Sequence, residues 1–175
     1  ELSGRSLGKI LRNPQLLRLD LGIFMLHAIL TATFIAVPVA LNSIGGLSEE
    51  EQWFVYLPVL ILAFIFMVPL VIQAESKRRM KQVFSLCVFL LFGTQLLLSI
   101  WHHSAIVIGI ILFVFFTAFI VLEATLPSMI SKIAPAGAKG TAMGIYSSCQ
   151  FMGIFVGGTV GGWLYHLHGL TGTFL

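Results

Sequence analysis

The chain of 175 residues is 58% hydrophobic and only 10% charged, with a formal net charge of +3 and a mean hydropathy of +1.00. A soluble domain carries about 25% charge, so composition excludes that class and points to a membrane protein. The ten Lys and Arg residues fall in short clusters between apolar runs. No continuous basic face is available for a phosphate backbone, which argues against nucleic acid as a partner.

The chain opens on Glu1 without an initiator Met or a signal-peptide pattern, and is expected to be a piece of a longer protein. Residues 1–20 read as a cytoplasmic, amphipathic lead-in. Five apolar runs follow, at about 21–41, 53–73, 83–101, 105–129 and 141–165. Each comes close to the ~20 residues a helix needs to cross a hydrocarbon core. A sixth run begins after Leu170 and is cut off. The runs are too long and too uniformly apolar for barrel strands. The expected fold is an all-α, polytopic membrane bundle over residues 21–175, with five complete spans and a truncated sixth.

Five crossings put every basic residue on one side: Arg5, Lys9, Arg12 and Arg18, then Lys77, Arg78, Arg79 and Lys81, then Lys132 and Lys139. The opposite loops hold Glu49, Glu50 and Glu51, then His102 and His103, then His166 and His168. Positive loops stay in the cytoplasm, so the N-terminus of this piece is expected inside. Trp53, Tyr56, Trp101, Trp163 and Tyr165 fall at the outer span ends, as an interfacial belt requires. Ser48 and Glu51 have capping-box spacing, which predicts that the second helix begins there.

The fourth run contains a single acid, Glu123, in a stretch without other charge from Ser104 to Ser131. Glu123 precedes Lys132 by nine residues, about 13 Å along a helix, which puts it near mid-membrane. A charge at that depth must face the bundle or a cavity. Pro127 lacks an N–H, and the carbonyl it deprives of a donor is that of Glu123. His27, about 10 Å in from Asp20, is the other ionisable group within the spans. Glu123 and His27 are the candidates for proton exchange or substrate binding. A static ion pair and a simple backbone bond from the imidazole are the alternatives. Gln95, Ser147 and Gln150 could line a polar cavity. Glu75, Lys77 and Arg78, in the loop "QAESKRRMKQ", are candidates for a cytoplasmic gate, or for a simple anchor on anionic lipid.

In the fifth run, Gly153, Gly157 and Gly161 lie four apart, as do Gly158 and Gly162. Such spacing forms smooth ridges for close helix packing in lipid. Pro38, Pro58 and Pro69 punctuate other spans. Cys87 and Cys149 lie in apolar runs without ligand spacing, and the adjacent pair His102 and His103 is a weak metal signal, so neither a metal site nor a cofactor is expected. The chain carries no phosphate-binding loop, HExxH pair or GxSxG elbow, which leaves enzyme chemistry without support.

The stretches "NPQLLRLDLGIFMLH", "AESKRRMKQVF" and "EATLPSMISKIAPAGAKGTAMGIYSSCQFMGIFVGGTVGGWL" resemble the drug-exporter-like branch of the major facilitator superfamily. The resemblance covers nearly the whole chain. It implies a twelve-helix carrier of two six-helix halves working by alternating access, with this chain as helices seven to eleven of the C-terminal half. It further implies an inner-membrane location, an N-terminal half as partner, and proton-coupled export of a small, drug-like molecule. The loop 71–81 keeps Glu75 and its basic neighbours but lacks the glycines of the family's gating motif. A non-transporting, oligomerising scaffold and a channel subunit remain the rival readings.

Overall fold

The computed structural model describes residue 8 and residues 10–174. Arg5 and Lys9, with the other residues of 1–7 in the predicted lead-in, lie outside the described residues. The chain forms five long helices: α1 (Pro14–Ser43), α2 (Trp53–Ser76), α3 (Met80–Ile100), α4 (Ala105–Ile133) and α5 (Lys139–Phe174). A single 3-10 turn, Ala136–Ala138, joins the last two. No strand occurs among the described residues. The first helix starts seven residues before its predicted span, inside the expected lead-in. Asn13 explains why: its side chain accepts from the N–H of Gln15 at 3.0 Å, and Pro14 follows at the first helical position.

Successive helices alternate in direction. Phe34 of α1 stacks on Tyr56 of α2, and Gln52 donates from Nε2 to the carbonyl of Pro38 at 2.9 Å, so α1 and α2 are antiparallel. The fourth helix runs against α1, with Leu126 beside Gly22 and Phe116 beside Phe34. The fifth lies parallel to α1, because Gly153, Gly157 and Gly161 face Phe24, Ala28 and Ala32 in that order. The ends carrying Arg18, Arg78, Lys132 and Lys139 therefore share one side of the bundle.

One expectation, the span count, is met in part, and another, the start of the second helix, needs correction. Four helices, α1 to α4, are long and apolar enough to cross a membrane among the described residues. The fifth is long enough, but its glycines, with Ser147, Ser148 and Gln150, dilute its apolar content. The second helix begins at Trp53 rather than at Ser48. Ser48 and Glu51 instead close a separate turn: Oε2 of Glu51 accepts from the Ser48 N–H at 3.0 Å and from its hydroxyl at 2.8 Å.

Those two bonds hold the Glu51 carboxyl below its usual range. A depressed folded value means that the turn's contribution is complete above the ordinary carboxylate value and fades as pH falls through the lower one. Amide hydrogen exchange is expected to show a lower protection factor at Ser48 in Glu51→Gln at neutral pH. Acidified wild type should converge on the variant.

The core is centred on α4, half of whose most apolar stretch is buried, against about a tenth for α2. Ile108, Leu112, Phe115 and Val121 are essentially inaccessible. Large apolar side chains such as Phe64, Phe89 and Ile106 point outward. In water such a surface would be an aggregation liability, whereas in a bilayer it is the lipid-facing side. At Gly169 the backbone turns through φ 65°, ψ −154°, a conformation available to glycine, and helix resumes beyond it. Thr173 and Phe174 then close one end of an apolar groove of about 550 Å³ that runs between α1, α3 and α4 as far as Arg18.

Candidate functional site

The three residues that come together are His27 of α1, Glu123 of α4 and Gln150 of α5. Close packing of α1 on α5 makes this possible. A Cβ built on Gly153 would collide with the Phe24 carbonyl oxygen, and one on Gly157 would collide with that of Ala28. Only hydrogen fits there, so the two backbones approach closely on either side of His27, and Gln150 enters reach of it. Glu123 arrives from the antiparallel α4, whose Phe119 packs edge-on against the His27 ring at 5.6 Å.

The hydrogen bonds form one chain. Nδ1 of His27 lies 3.3 Å from the carbonyl of Ile23 and Nε2 lies 2.9 Å from Nε2 of Gln150. The same Gln150 nitrogen lies 3.2 Å from Oε1 of Glu123. A single assignment satisfies all three. With the Gln150 nitrogen facing the ring, Nε2 of His27 is the acceptor and Nδ1–H donates to the carbonyl of Ile23. The two amide hydrogens of Gln150 are then shared, one to His27 Nε2 and one to Glu123 Oε1. This leaves Oε2 of Glu123 buried without a hydrogen-bond partner, 3.9 Å from His27 Nε2. The imidazole side chain is 8% exposed and the carboxylate side chain 35%, so the acid is the more accessible of the two.

The arrangement has two wirings. A proton added at His27 Nε2 turns that atom into a donor, and the Gln150 N–H facing it must move away. The amide satisfies the imidazolium by rotating half a turn so that its oxygen accepts. Oε1 of Glu123 then loses its donor, and the imidazolium is the remaining neighbour of this carboxylate, 3.9 Å from Oε2. Protonating Glu123 removes the need for that donor. Occupancy at one group thus sets what the other needs, with Gln150 between them.

The other predicted residues are placed elsewhere. Gln95 donates to the hydroxyl of Thr33 at 3.0 Å and lines the apolar groove rather than the trio. Ser147 is half-buried on α5, three residues before Gln150, and is not part of the hydrogen-bonded chain. Gly158 and Gly162 do not form a second close ridge. A Cβ on Gly158 would meet Thr31 at an ordinary 3.5 Å, and one on Gly162 would meet Ile35 at 4.0 Å. Pro127 sits within an unbroken α4, one turn beyond Glu123. Glu75 reaches Lys132 rather than an arginine, at 3.9 Å between exposed side chains, which is a weak ion pair. Lys77 caps the end of α2 and is exposed.

Two polar residues escaped the sequence reading. Asp20 is 5% exposed, and neither its Oδ1 nor the buried hydroxyl of Tyr146 has a hydrogen-bond partner among the described residues. Asp20 lies two helical turns before His27, and Tyr146 lies one turn before Gln150. That spacing, applied to each helix, would have placed both on the same seam.

Residues 2–158 match the profile of the Major Facilitator Superfamily. The chain belongs to this family. It is 45% identical over 174 residues to the "Inner membrane transport protein YajR" of Escherichia coli K12, covering 97% of this chain and 37% of that protein. An "Uncharacterized transporter" of Buchnera aphidicola subsp. Baizongia pistaciae is 34% identical over 167 residues, covering 90% of this chain and 40% of its own length. A further Buchnera aphidicola protein, from subsp. Acyrthosiphon pisum, is 34% identical over 146 residues, covering 83% of this chain and 37% of its own length. The chain spans well under half the length of these relatives. Family and helices together make this a multi-pass membrane protein of a transporter family.

Proposed function

We propose that the chain is the C-terminal half of a twelve-helix secondary transporter of a bacterial inner membrane, which exports a small molecule in exchange for protons. The observation that carries this reading is the Glu123–Gln150–His27 chain, a titratable pair bridged by one amide in a membrane bundle, with the acid the more accessible of the pair. Intramembrane ionisable groups mark ion and substrate pathways. Similarity to a protein named for inner-membrane transport supports the setting. In this reading α5 crosses beside α1. The helix resuming after Gly169 is the start of a sixth span seated in the groove between α1 and α3. The more accessible side of Glu123 faces the N-terminal half across the substrate cavity.

The test uses inside-out vesicles holding the full-length protein that contains this chain. Uptake of lipophilic organic cations should saturate, depend on an imposed pH gradient, and release protons. Preloaded vesicles should show counterflow. Uptake that is linear in concentration and without counterflow would favour a channel, and no flux of any probe would favour a scaffold.

A further inference from the structure

At the basic end of the bundle, the end of α2, the start of α3 and the end of α4 enclose a second cleft of about 810 Å³. Arg78, Arg79, Lys81 and Lys132 line it, and Glu75 is the one carboxylate on its walls. Glu75 offsets Lys132 only weakly, since both side chains are more than half exposed at 3.9 Å. The other three cations gain nothing from that contact. The cleft also receives the N-terminus of α3, a helix of 21 residues with no side-chain cap on its first turn. Free N–H groups there favour an anion.

Arg78 supplies an independent observation. The turn from α2 to α3 is closed by bonds from Arg79 N–H to the Ala74 carbonyl at 2.9 Å and from Arg78 N–H to that of Glu75 at 3.2 Å. This is the Schellman pattern, and it puts Arg78 at the position where glycine normally sits. Arg78 accordingly has φ 51° and is the one non-glycine residue with positive φ among those described. Glycine would adopt this conformation without strain. A strained arginine at a glycine position, with its side chain on the wall of a cationic cleft, indicates that the guanidinium has a task there.

We propose that this cleft binds the phosphate of an anionic phospholipid headgroup. Guanidinium forks and uncapped helix N–H groups match phosphate oxygens, which a carboxylate would satisfy less fully. The cleft lies where three membrane-traversing helices end together, the level at which headgroups lie. Exposed Ile72 and Leu86, one to two turns inward on α2 and α3, offer apolar surface for the acyl chains.

Native mass spectrometry of the purified full-length protein, delipidated and then supplied with phosphatidylglycerol or phosphatidylcholine, tests this. Wild type is expected to retain phosphatidylglycerol in preference. Arg78→Gly should weaken that retention about fivefold, the effect of one surface cation on an anionic lipid. Its lipid-free thermal stability should be unchanged or raised, because the turn gains its preferred residue. Lys132→Gln, on the opposite wall and away from the turn, should give a similar loss. Equal retention of the two lipids, or unaltered retention in both variants, would overturn the proposal. Displacement of phosphatidylglycerol by millimolar inorganic phosphate would overturn the lipid as the source and assign the cleft to a free phosphate compound.

Discussion

Glu123→Gln in the full-length protein is expected to reduce pH-gradient-driven accumulation to the level of passive leak while leaving counterflow intact. The substitution is nearly isosteric, and the amide oxygen it introduces can still accept from the Gln150 amide. It deletes the titratable charge and little else. Counterflow needs only a cavity that alternates, whereas uphill movement needs a group that carries a proton across the cycle. Stability should shift by less than about 1 kcal/mol, because the bond from Gln150 at Oε1 is kept and the oxygen replaced is the unpartnered Oε2. Gln150→Leu provides the contrast. It strands His27 Nε2 and Glu123 Oε1 without their shared donor, which is expected to cost about 1–3 kcal/mol in thermal unfolding. Accumulation that persists in Glu123→Gln at wild-type levels would remove this residue from proton coupling.

The second large effect concerns the α1–α5 seam, where two neighbouring glycines should respond with opposite signs. Gly157→Ala would push a methyl into the Ala28 carbonyl oxygen and to 2.5 Å from its Cα. Both are backbone atoms, so no rotamer change relieves the clash and the helices must separate. Overpacking of this kind costs about 1–3 kcal/mol, and the backbone location puts Gly157 at the upper end. Separation should also pull Gln150 from His27, so transport should fall together with melting temperature. Gly158→Ala adds a methyl 3.5 Å from Thr31 Cγ2, an ordinary contact. Replacing a mid-helix glycine there should raise stability by about 0.5–1 kcal/mol. Differential scanning fluorimetry in detergent, with disulfide trapping between cysteines introduced across the seam, reads both. A Gly157→Ala protein as stable as Gly158→Ala would mean that the seam is not closely packed.

Much of the fold was legible in the sequence because lipid imposes simple rules. Apolar runs of sufficient length must be helices, and the basic clusters fall at alternate loops, so the alternating directions of α1 to α5 followed from charge alone. Glu123 and His27 stood out because ionisable groups are rare in such runs. Other features depend on how one helix is rotated against another, which spacing within a helix does not determine. Gly153 and Gly158 look equivalent in the sequence, yet only the ridge of Gly153, Gly157 and Gly161 meets the α1 backbone at close range. Gln150 lies 123 positions from His27, and nothing local distinguishes it from Gln95, which packs on Thr33 instead. Asp20 seemed a boundary residue by linear depth but is buried within the bundle. Ser48 and Glu51 have the spacing of a cap but close a turn of their own, and the helix starts after Gln52, whose side chain reaches across to Pro38.

The most direct test of the central claim, that Glu123, Gln150 and His27 act as one proton site, is isotope-edited infrared spectroscopy of the full-length protein across a pH titration. A carboxyl band should appear and vanish over the pH range in which transport is pH-dependent. It should be absent in Glu123→Gln and displaced in pH in both Gln150→Leu and His27→Gln. A Glu123 carboxyl that titrates identically with and without Gln150 and His27, or that does not change protonation over the working range, would contradict the claim.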